Sequence, residues 1–212
     1  MKHIILRICE VDILMNFKRV LVLSPHTDDG EYGAGGTIAR LVNEGAEVHY
    51  VAFSAPREEL KDECIRATKL LGVKSTYIMN YPRRRFDENR QDILQTICDM
   101  EEKIKPDLVL IPSTRDIHQD HNVITKEASR GIFLNSSILG YEIPHNIRLF
   151  NNSVGISSEN LRKKVFALSQ YKSQIKRYYF DPEFINAWAR FRGGQIDSDY
   201  AECFEVIKII QK

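Results

Sequence analysis

The chain has 212 residues, of which 43% are hydrophobic and 28% charged, and this composition predicts a globular protein with a sizeable core. Its 30 basic and 29 acidic residues leave a formal net charge of +1, which argues against nucleic acid or an anionic membrane as a partner. No apolar run reaches the ~20 residues of a membrane span. Four scattered cysteines without a C-x-x-C pair argue against a thiolate zinc site and favour a reducing, cytoplasmic location.

The first 14 residues are rich in Ile and Leu, but Arg7, Glu10 and Asp12 interrupt the core that a signal peptide would need. We interpret residues 1–14 as an N-terminal extension, with a short edge strand or an oligomer contact as the alternatives. No repeat, low-complexity tract or linker divides the chain, so residues 1–212 are expected to form a single domain.

Apolar runs alternate with amphipathic stretches along the chain, as in a parallel sheet with crossover helices. The runs predict strands at Arg19–Leu23, Val48–Phe53, Thr76–Met79 and Leu108–Ile111. The stretches between them predict helices at Gly36–Asn43, Glu58–Leu71 and Arg90–Ile104. The expected fold class is therefore α/β, Rossmann-like, with a mostly parallel central sheet and helices on both faces.

The second half of the chain gives weaker signals. A helix is expected over residues 122–133, one or two strands over 139–155, and helices over 158–170 and 182–191. The tail YAECFEVIKII mixes helix and strand signals and is expected to form a helix or an edge strand.

Residues 24–36 read SPHTDDGEYGAGG and follow the first strand. The adjacent carboxylates of Asp28 and Asp29 repel each other and lose hydration at a buried strand end, so a bound cation is the obvious way to offset them. A second cluster, His118, Asp120 and His121, follows the fourth strand. Taken alone, Asp28, Asp29 or Asp120 could instead be the N-cap of the helix that follows, without any role in metal binding.

The two clusters are expected to meet because the carboxyl ends of parallel strands share one rim. Two imidazoles and a carboxylate around an open position are the usual composition of a catalytic zinc site. A second carboxylate beside it can act as a general base, and a further imidazole can stabilise an oxyanion. The residues alone do not choose between Asp28 and Asp29, or between His118 and His121, as ligands.

The glycines at 30, 33, 35 and 36 do not complete a dinucleotide-binding motif, because Ile38 occupies the position of the last glycine. The acidic residue that would bind a ribose after the second strand is also missing from VAFSAP. We interpret these glycines as residues that let the following helix pack tightly on the sheet and leave space beside a metal.

The motifs PHTDDGEYGAGGTIA and PSTRDIHQDHN together resemble the LmbE/PIG-L family of zinc-dependent N-acetylglucosaminyl de-N-acetylases, and the likeness extends from Met15 to the C-terminus. The resemblance implies that His26, Asp29 and His121 bind Zn²⁺ or another divalent metal such as Fe²⁺. It implies that Asp28 is the general base that activates water. It also implies that His118 polarises the amide carbonyl or stabilises the oxyanion, with Asp120 supporting His118.

The segment YKSQ matches a late motif of the family, but no physical role follows for Tyr171, Ser173 or Gln174. The chain departs from the family at Leu60, where a sugar-binding arginine is common. Either Arg57 or Lys61 takes over the role of that arginine, or the protein binds its substrate in a different way.

Three consecutive arginines, Arg83, Arg84 and Arg85, follow the third strand. A phosphate of the substrate is one expected ligand of this run, with Arg85 as the candidate contact, and a solvated loop cluster is the alternative.

The resemblance thus implies a hydrolase that removes acetyl from an N-acetylated amino sugar or sugar conjugate, phosphate-bearing ones included. The expected partner is that small molecule rather than nucleic acid, and a homo-oligomer is expected. Three alternatives stay open: an inactive or regulatory sugar-binding protein on the same fold, a hydrolase of a non-sugar N-acyl amide, and a nucleotide-dependent enzyme.

Overall fold

The structure, a computed structural model, describes residues 17–132, 135–144 and 150–210. In these ranges the strands form one seven-stranded sheet in the order β3-β2-β1-β4-β5-β7-β6. The strands are β1 Arg19–His26, β2 Glu47–Ser54, β3 Ser75–Ile78, β4 Leu108–Pro112, β5 Ser137–Tyr141, β6 Asn152–Ile156 and β7 Tyr200–Lys208. The α-helices are α1 Asp29–Asn43, α2 Glu58–Leu71, α3 Arg90–Ile104, α4 Gln119–Gly131, α5 Ser158–Leu168 and α6 Pro182–Gly194.

The first five strands pair in parallel, whereas β7 runs antiparallel between β5 and β6. Helices α1, α2, α5 and α6 cover one face of the sheet, and α3 and α4 cover the other. This confirms the expected α/β class with a mostly parallel sheet. No helix among the described residues combines the length and apolarity that crossing a membrane requires.

The central strand β1 is buried on both sides. Val20 and Val22 belong to one hydrophobic cluster, while Leu21 and Leu23 belong to the cluster on the opposite face, and all four are fully buried. Side chains alternate between the two faces of a strand, so one continuous apolar run serves both cores. The polar residues that follow β1 therefore begin directly at the end of a buried strand.

Several boundaries differ from the sequence expectations. Helix α1 begins at Asp29 and not at Gly36, because tight packing on the sheet overrides the low helix propensity of the glycines. Helix α4 begins at Gln119, three residues earlier than expected. The tail is a strand, but it lies inside the sheet and not at its edge. The N-terminal extension proposed for residues 1–14 lies outside the described residues, and the single-domain organisation stays a prediction.

Three of the glycines of α1 allow this helix to lie against the sheet. A Cβ atom at Gly33 would come within 2.4 Å of the Tyr141 ring, and one at Gly30 within 2.7 Å of the Tyr50 ring. A Cβ at Gly36 would lie 2.5 Å from Ile156. These neighbours belong to the hydrophobic core and not to the polar cluster. The prediction that the glycines allow close packing is therefore confirmed, whereas the prediction that they leave space beside a metal is wrong for these three glycines.

Gly33→Ala is expected to destabilise the fold by about 1–3 kcal/mol, because its methyl group would overlap a fully buried ring. Gly194→Ala is the matched control, since a Cβ at this helical glycine would meet nothing within 4 Å. Urea unfolding followed by circular dichroism measures both variants. Equal stability of the two variants would show that α1 moves freely to accommodate the methyl group.

Candidate metal centre

The two polar clusters meet at the rim of the sheet where β1 and β4 end. Helix α1 starts three residues after His26, and α4 starts seven residues after Pro112, so both connections are short. A cavity of about 640 Å³ opens there. Residues of both clusters line it, namely His26, Asp28, Asp29, Asp116, His118 and His121. The rim expected from the order of the strands is therefore the place where these side chains gather.

Three of these side chains converge on one point. The Nδ1 atom of His26 lies 3.0 Å from Oδ2 of Asp29 and 3.3 Å from Nε2 of His121, and that Nε2 lies 3.1 Å from the same carboxylate oxygen. A tetrahedral Zn²⁺ with bonds of about 2.0–2.1 Å holds its ligands about 3.3 Å apart. The donor set and its spacing therefore fit a small divalent cation.

Each of the two imidazoles is also held from behind by a carboxylate. Nε2 of His26 lies 3.1 Å from Oδ2 of Asp120, and Nδ1 of His121 lies 2.7 Å from Oδ2 of Asp116. Both carboxylates are buried. Metal-binding histidines characteristically donate their second N–H to such a partner, which fixes the ring and raises its basicity. This arrangement leaves Nδ1 of His26 and Nε2 of His121 available to a metal.

The cluster is built to hold positive charge. Burial would lower the pKa of His121, but Asp29 and Asp116 outweigh burial and raise that pKa to about 10. Burial would likewise raise the pKa of Asp29, yet His121 and His26 hold it well below its usual range. A cation bound between these groups would take the place of the proton that they otherwise share.

Asp28 occupies the N-cap position of α1, but its side chain makes no capping hydrogen bond to the described residues. The capping interpretation is therefore wrong for this residue. Its carboxyl group lines the cavity, and burial together with the neighbouring charge of Asp29 raises the pKa of Asp28 to about 6. A carboxyl group with such a pKa can both accept and release a proton near neutral pH.

His118 is the N-cap of α4, and its Nδ1 accepts a hydrogen bond of 3.2 Å from the backbone N–H of Asp120. The capping role expected of Asp120 thus belongs to His118. Burial, followed by His121 and His26, lowers the pKa of His118 to about 4, so the ring is neutral. Because Nδ1 accepts, the proton of the neutral ring lies on Nε2. Asp120 supports His118 through its backbone, while its carboxylate bonds His26.

His118 also stands close enough to count as a ligand. One ring nitrogen of each of His26, His118 and His121 lies within 4.8 Å of the others. The described residues thus offer a His-rich candidate metal site in which Asp29, His26 and His121 have atoms available to a metal, whereas the ring of His118 would first have to release its Nε2 proton or its bond at Nδ1. Assignment of His118 to oxyanion stabilisation rather than to the metal stays a prediction.

A buried hydrogen-bond network holds the turn that carries Asp28. The hydroxyl groups of Tyr171 and Tyr50 lie 2.5 Å and 3.2 Å from the carbonyl oxygen of Thr27, and both also bond the carboxyl group of Glu31. Burial raises the pKa of Glu31 to about 8, so this carboxyl group is protonated at neutral pH and can donate to a tyrosine hydroxyl. The network gives Tyr171 a positioning role that the sequence did not reveal.

Ser173 of the YKSQ segment is also held by hydrogen bonds to a buried carboxyl group. The backbone N–H and the hydroxyl group of Ser173 donate to the carboxylate of buried Glu63 at 2.9 Å and 2.6 Å. Gln174, the next residue, lines the cavity. Glu63 therefore anchors this segment at the side of the candidate site.

The three side chains expected to bind substrate are not among the residues that line the cavity. Arg57 pairs with Glu59 at 3.3 Å, and Lys61 pairs with Glu58 at 2.8 Å. Arg85 donates to Glu88 at 2.9 Å. These pairs lie on the surface, and a contact of these residues with substrate stays a prediction.

Other residues supply the cavity wall. Leu60 lines it, as do the guanidinium-bearing residues Arg83, Arg84 and Arg177.

Sequence reasoning missed Asp116 and Arg177. Asp116 stood within the motif DIHQDH, but only the course of the β4–α4 connection shows that it reaches His121. Arg177 follows α5 in irregular structure, where no sequence pattern marks it.

Residues 21–132 match the family described as PIG-L: GlcNAc-PI de-N-acetylase, and this match covers more than half of the chain. The chain belongs to the PIG-L family. An uncharacterized deacetylase, YaiS of Escherichia coli (strain K12), is 27% identical over 74% of this chain and 91% of its own length. A probable N-acetyl-alpha-D-glucosaminyl L-malate deacetylase 2 of Bacillus anthracis is 28% identical over 51% of this chain, but the match spans only 57% of that protein.

Solved structures share the fold. The conserved protein TT1542 from Thermus thermophilus superposes with a TM-score of 0.79 at 23% identity, covering 92% of this chain and 97% of that one. GalB, the 4-carboxy-2-hydroxymuconate hydratase from Pseudomonas putida KT2440, gives 0.79 at 19% identity, covering 92% and 98%. At these identities the likeness concerns the fold alone, which evidently serves more than one reaction.

Asp116→Asn is expected to weaken Zn²⁺ binding about 10–100-fold, because an amide can no longer hold the His121 ring as a carboxylate does. Asp62→Asn, on the exposed side of α2, is the matched control and is expected to bind Zn²⁺ like the wild type. Competition with a chromophoric chelator measures both affinities. An unchanged affinity of Asp116→Asn would mean that His121 is not a ligand.

Proposed function

We propose that this protein is a metal-dependent deacetylase of N-acetylated amino sugars or their conjugates. One observation carries the proposal: a carboxylate and two imidazoles converge within 3.3 Å of one another, with Asp28 and His118 on the same cavity. Membership of the PIG-L family and the sugar amide in the name of the Bacillus relative support the choice of an N-acetyl sugar.

His26, Asp29 and His121 would hold the metal. The mixture of imidazole and carboxylate suits Zn²⁺, and also Fe²⁺, better than the all-oxygen sites of Mg²⁺ or Ca²⁺. Zn²⁺ held there supplies a Lewis acid that lowers the pKa of water toward ~7. Asp116 and Asp120 fix the two rings so that the nitrogens facing the cavity keep their lone pairs.

The remaining steps belong to side chains of this protein. Asp28 takes a proton from the attacking water as the oxygen bonds to the acetyl carbon. The Nε2–H of neutral His118 donates to the carbonyl oxygen, on which negative charge develops. Asp28 then gives its proton to the amide nitrogen, the C–N bond breaks, and acetate and a free amino sugar leave. A pKa of about 6 suits Asp28 to both transfers.

The first test is acetate release by the purified, Zn²⁺-loaded protein from a panel of N-acetyl sugars, sugar conjugates and simple N-acyl amides. We expect equimolar acetate and primary amine, loss of both after treatment with a chelator, and recovery on adding Zn²⁺. Metal-loaded protein that binds these sugars but releases no acetate would favour a regulatory sugar-binding protein. Water addition to an unsaturated carboxylate, followed by its absorbance, would instead favour a hydratase.

Asp28→Asn is expected to lower kcat/KM about 10²–10⁴-fold, because the amide cannot accept the proton of the attacking water. Its metal content should remain that of the wild type, whereas Asp29→Asn should lose both metal and activity. Metal analysis and acetate release measure the two variants side by side. The roles of the two aspartates would have to be exchanged if Asp28→Asn lost the metal and Asp29→Asn kept it.

A further inference from the structure

The cavity carries positive charge that the proposed reaction does not use. Outside the metal centre, the charged residues that line it in the described part of the chain are Arg83, Arg84 and Arg177. Arg177 donates to the hydroxyl group of Tyr179 at 2.5 Å. The guanidinium groups of Arg83 and Arg84 have neither an ion pair nor a hydrogen bond among the described residues.

The backbone of Arg84 is tied to the metal centre. Its N–H donates to Oδ2 of Asp120 at 2.8 Å, and its carbonyl oxygen accepts from the side chain of Gln119 at 3.1 Å. The same Asp120 oxygen holds the ring of His26. Arg84 has a φ of 65°, in the left-handed region that favours glycine, so its backbone is strained at this position.

The third arginine of the run behaves differently. All three arginines are exposed, but Arg85 donates to Glu88 and pairs with it through a second guanidinium nitrogen at 2.6 Å, and it is absent from the cavity lining. The run of three arginines therefore divides into two that line the cavity without a carboxylate partner and one that is paired on the surface. Arg85 thereby provides a control of the same residue type in the same loop.

Two explanations account for unpaired arginines beside this centre. They can balance the negative charge of the aspartates, in which case every substrate feels them alike. They can instead bind an anionic group of the substrate, which the aspartates would otherwise repel. Guanidinium groups match phosphate and carboxylate in shape and charge and bind them through paired N–H donors. The backbone hydrogen bond of Arg84 to Asp120, which also bonds His26, holds the loop that carries these arginines beside the candidate metal centre.

We propose that Arg83 and Arg84 form an anion subsite, so that the preferred substrates carry a phosphate or carboxylate on the N-acetyl sugar or on its first substituent. This inference rests on the deacetylase function proposed above. It differs from the sequence expectation, which chose Arg85 as the phosphate contact. The subsite would select among N-acetyl sugars and would leave the chemistry of the amide unchanged.

The test compares kcat/KM for neutral N-acetylglucosamine with that for its 1-phosphate, its 6-phosphate and N-acetylmuramic acid. The wild type is expected to prefer at least one anionic substrate about tenfold or more, with the preference shrinking at high salt. Arg83→Ala and Arg84→Gly should each lower the anionic-to-neutral ratio about tenfold. Glycine is used at position 84 because it suits the positive φ and retains the N–H to Asp120. Arg85→Ala should keep the wild-type ratio, and Arg83→Lys or Arg84→Lys should keep part of it.

Three results would overturn the subsite: no anionic preference in the wild type, an equal loss for neutral and anionic substrates, or the same change in Arg85→Ala. The equal loss would point to simple charge balance. The phosphate and carboxylate substrates tell which anion is recognised.

Binding separates the subsite from the proposed function. Calorimetry with the metal-loaded Asp28→Asn variant measures affinity for N-acetylglucosamine and its phosphates without turnover. Tighter binding of a phosphate, lost when Arg83→Ala is added, would support the subsite even if the wild type released no acetate, a result that would refute only the deacetylase. Equal binding of neutral and charged sugars would overturn the subsite whether or not acetate is released.

Discussion

The structure depends on how three carboxyl groups are accommodated in one turn at the end of a buried strand. Asp28, Asp29 and Glu31 lie within four residues, and ionised together they would repel one another at a large cost. Asp29 keeps its charge because two imidazoles face it, and Glu31 keeps its proton because burial raises its pKa more than the hydrogen bonds of Tyr50 and Tyr171 lower it. Asp28 remains between these extremes, with a pKa of about 6. The three environments give the carboxyl groups three different protonation behaviours, which suit the roles proposed above for Asp29 as a ligand and Asp28 as a base, with Glu31 as a structural hydrogen-bonding group.

This division requires parts of the chain that are distant in sequence. The parallel pairing of β1 with β4 brings His121 to Asp29, and Tyr171 reaches the Thr27 carbonyl from the segment after α5. Glycines such as Gly33 let α1 lie close enough to the sheet for its first turn to face the cavity. A rigid support of this kind matters because a metal site and a base tolerate little displacement. The fold thus supplies the precision that the short motif cannot supply alone.

The sequence predicted what depends on local pattern. Helices α2 and α3 were predicted with the bounds that the structure has, because their apolar spacing and end signals agree. The interior position of β7 was missed, since it depends on pairing with strands far away in the chain. The choice among three identical arginines was also beyond the sequence. Arg85 differs from its two neighbours in its pairing with Glu88 and in lying outside the cavity lining, and both features depend on how the loop folds.

One carboxylate connects the metal centre to the cavity wall. Oδ2 of Asp120 bonds both the ring of His26 and the backbone N–H of Arg84, while its buried Oδ1 has no partner among the described residues. A buried carboxylate oxygen without a partner is costly, and the two bonds made by Oδ2 offset part of that cost. These two bonds join the loop that carries Arg83 and Arg84 to the ring of His26. The proposed recognition of the substrate's charge and the proposed role of His26 as a metal ligand therefore both depend on the side chain of Asp120.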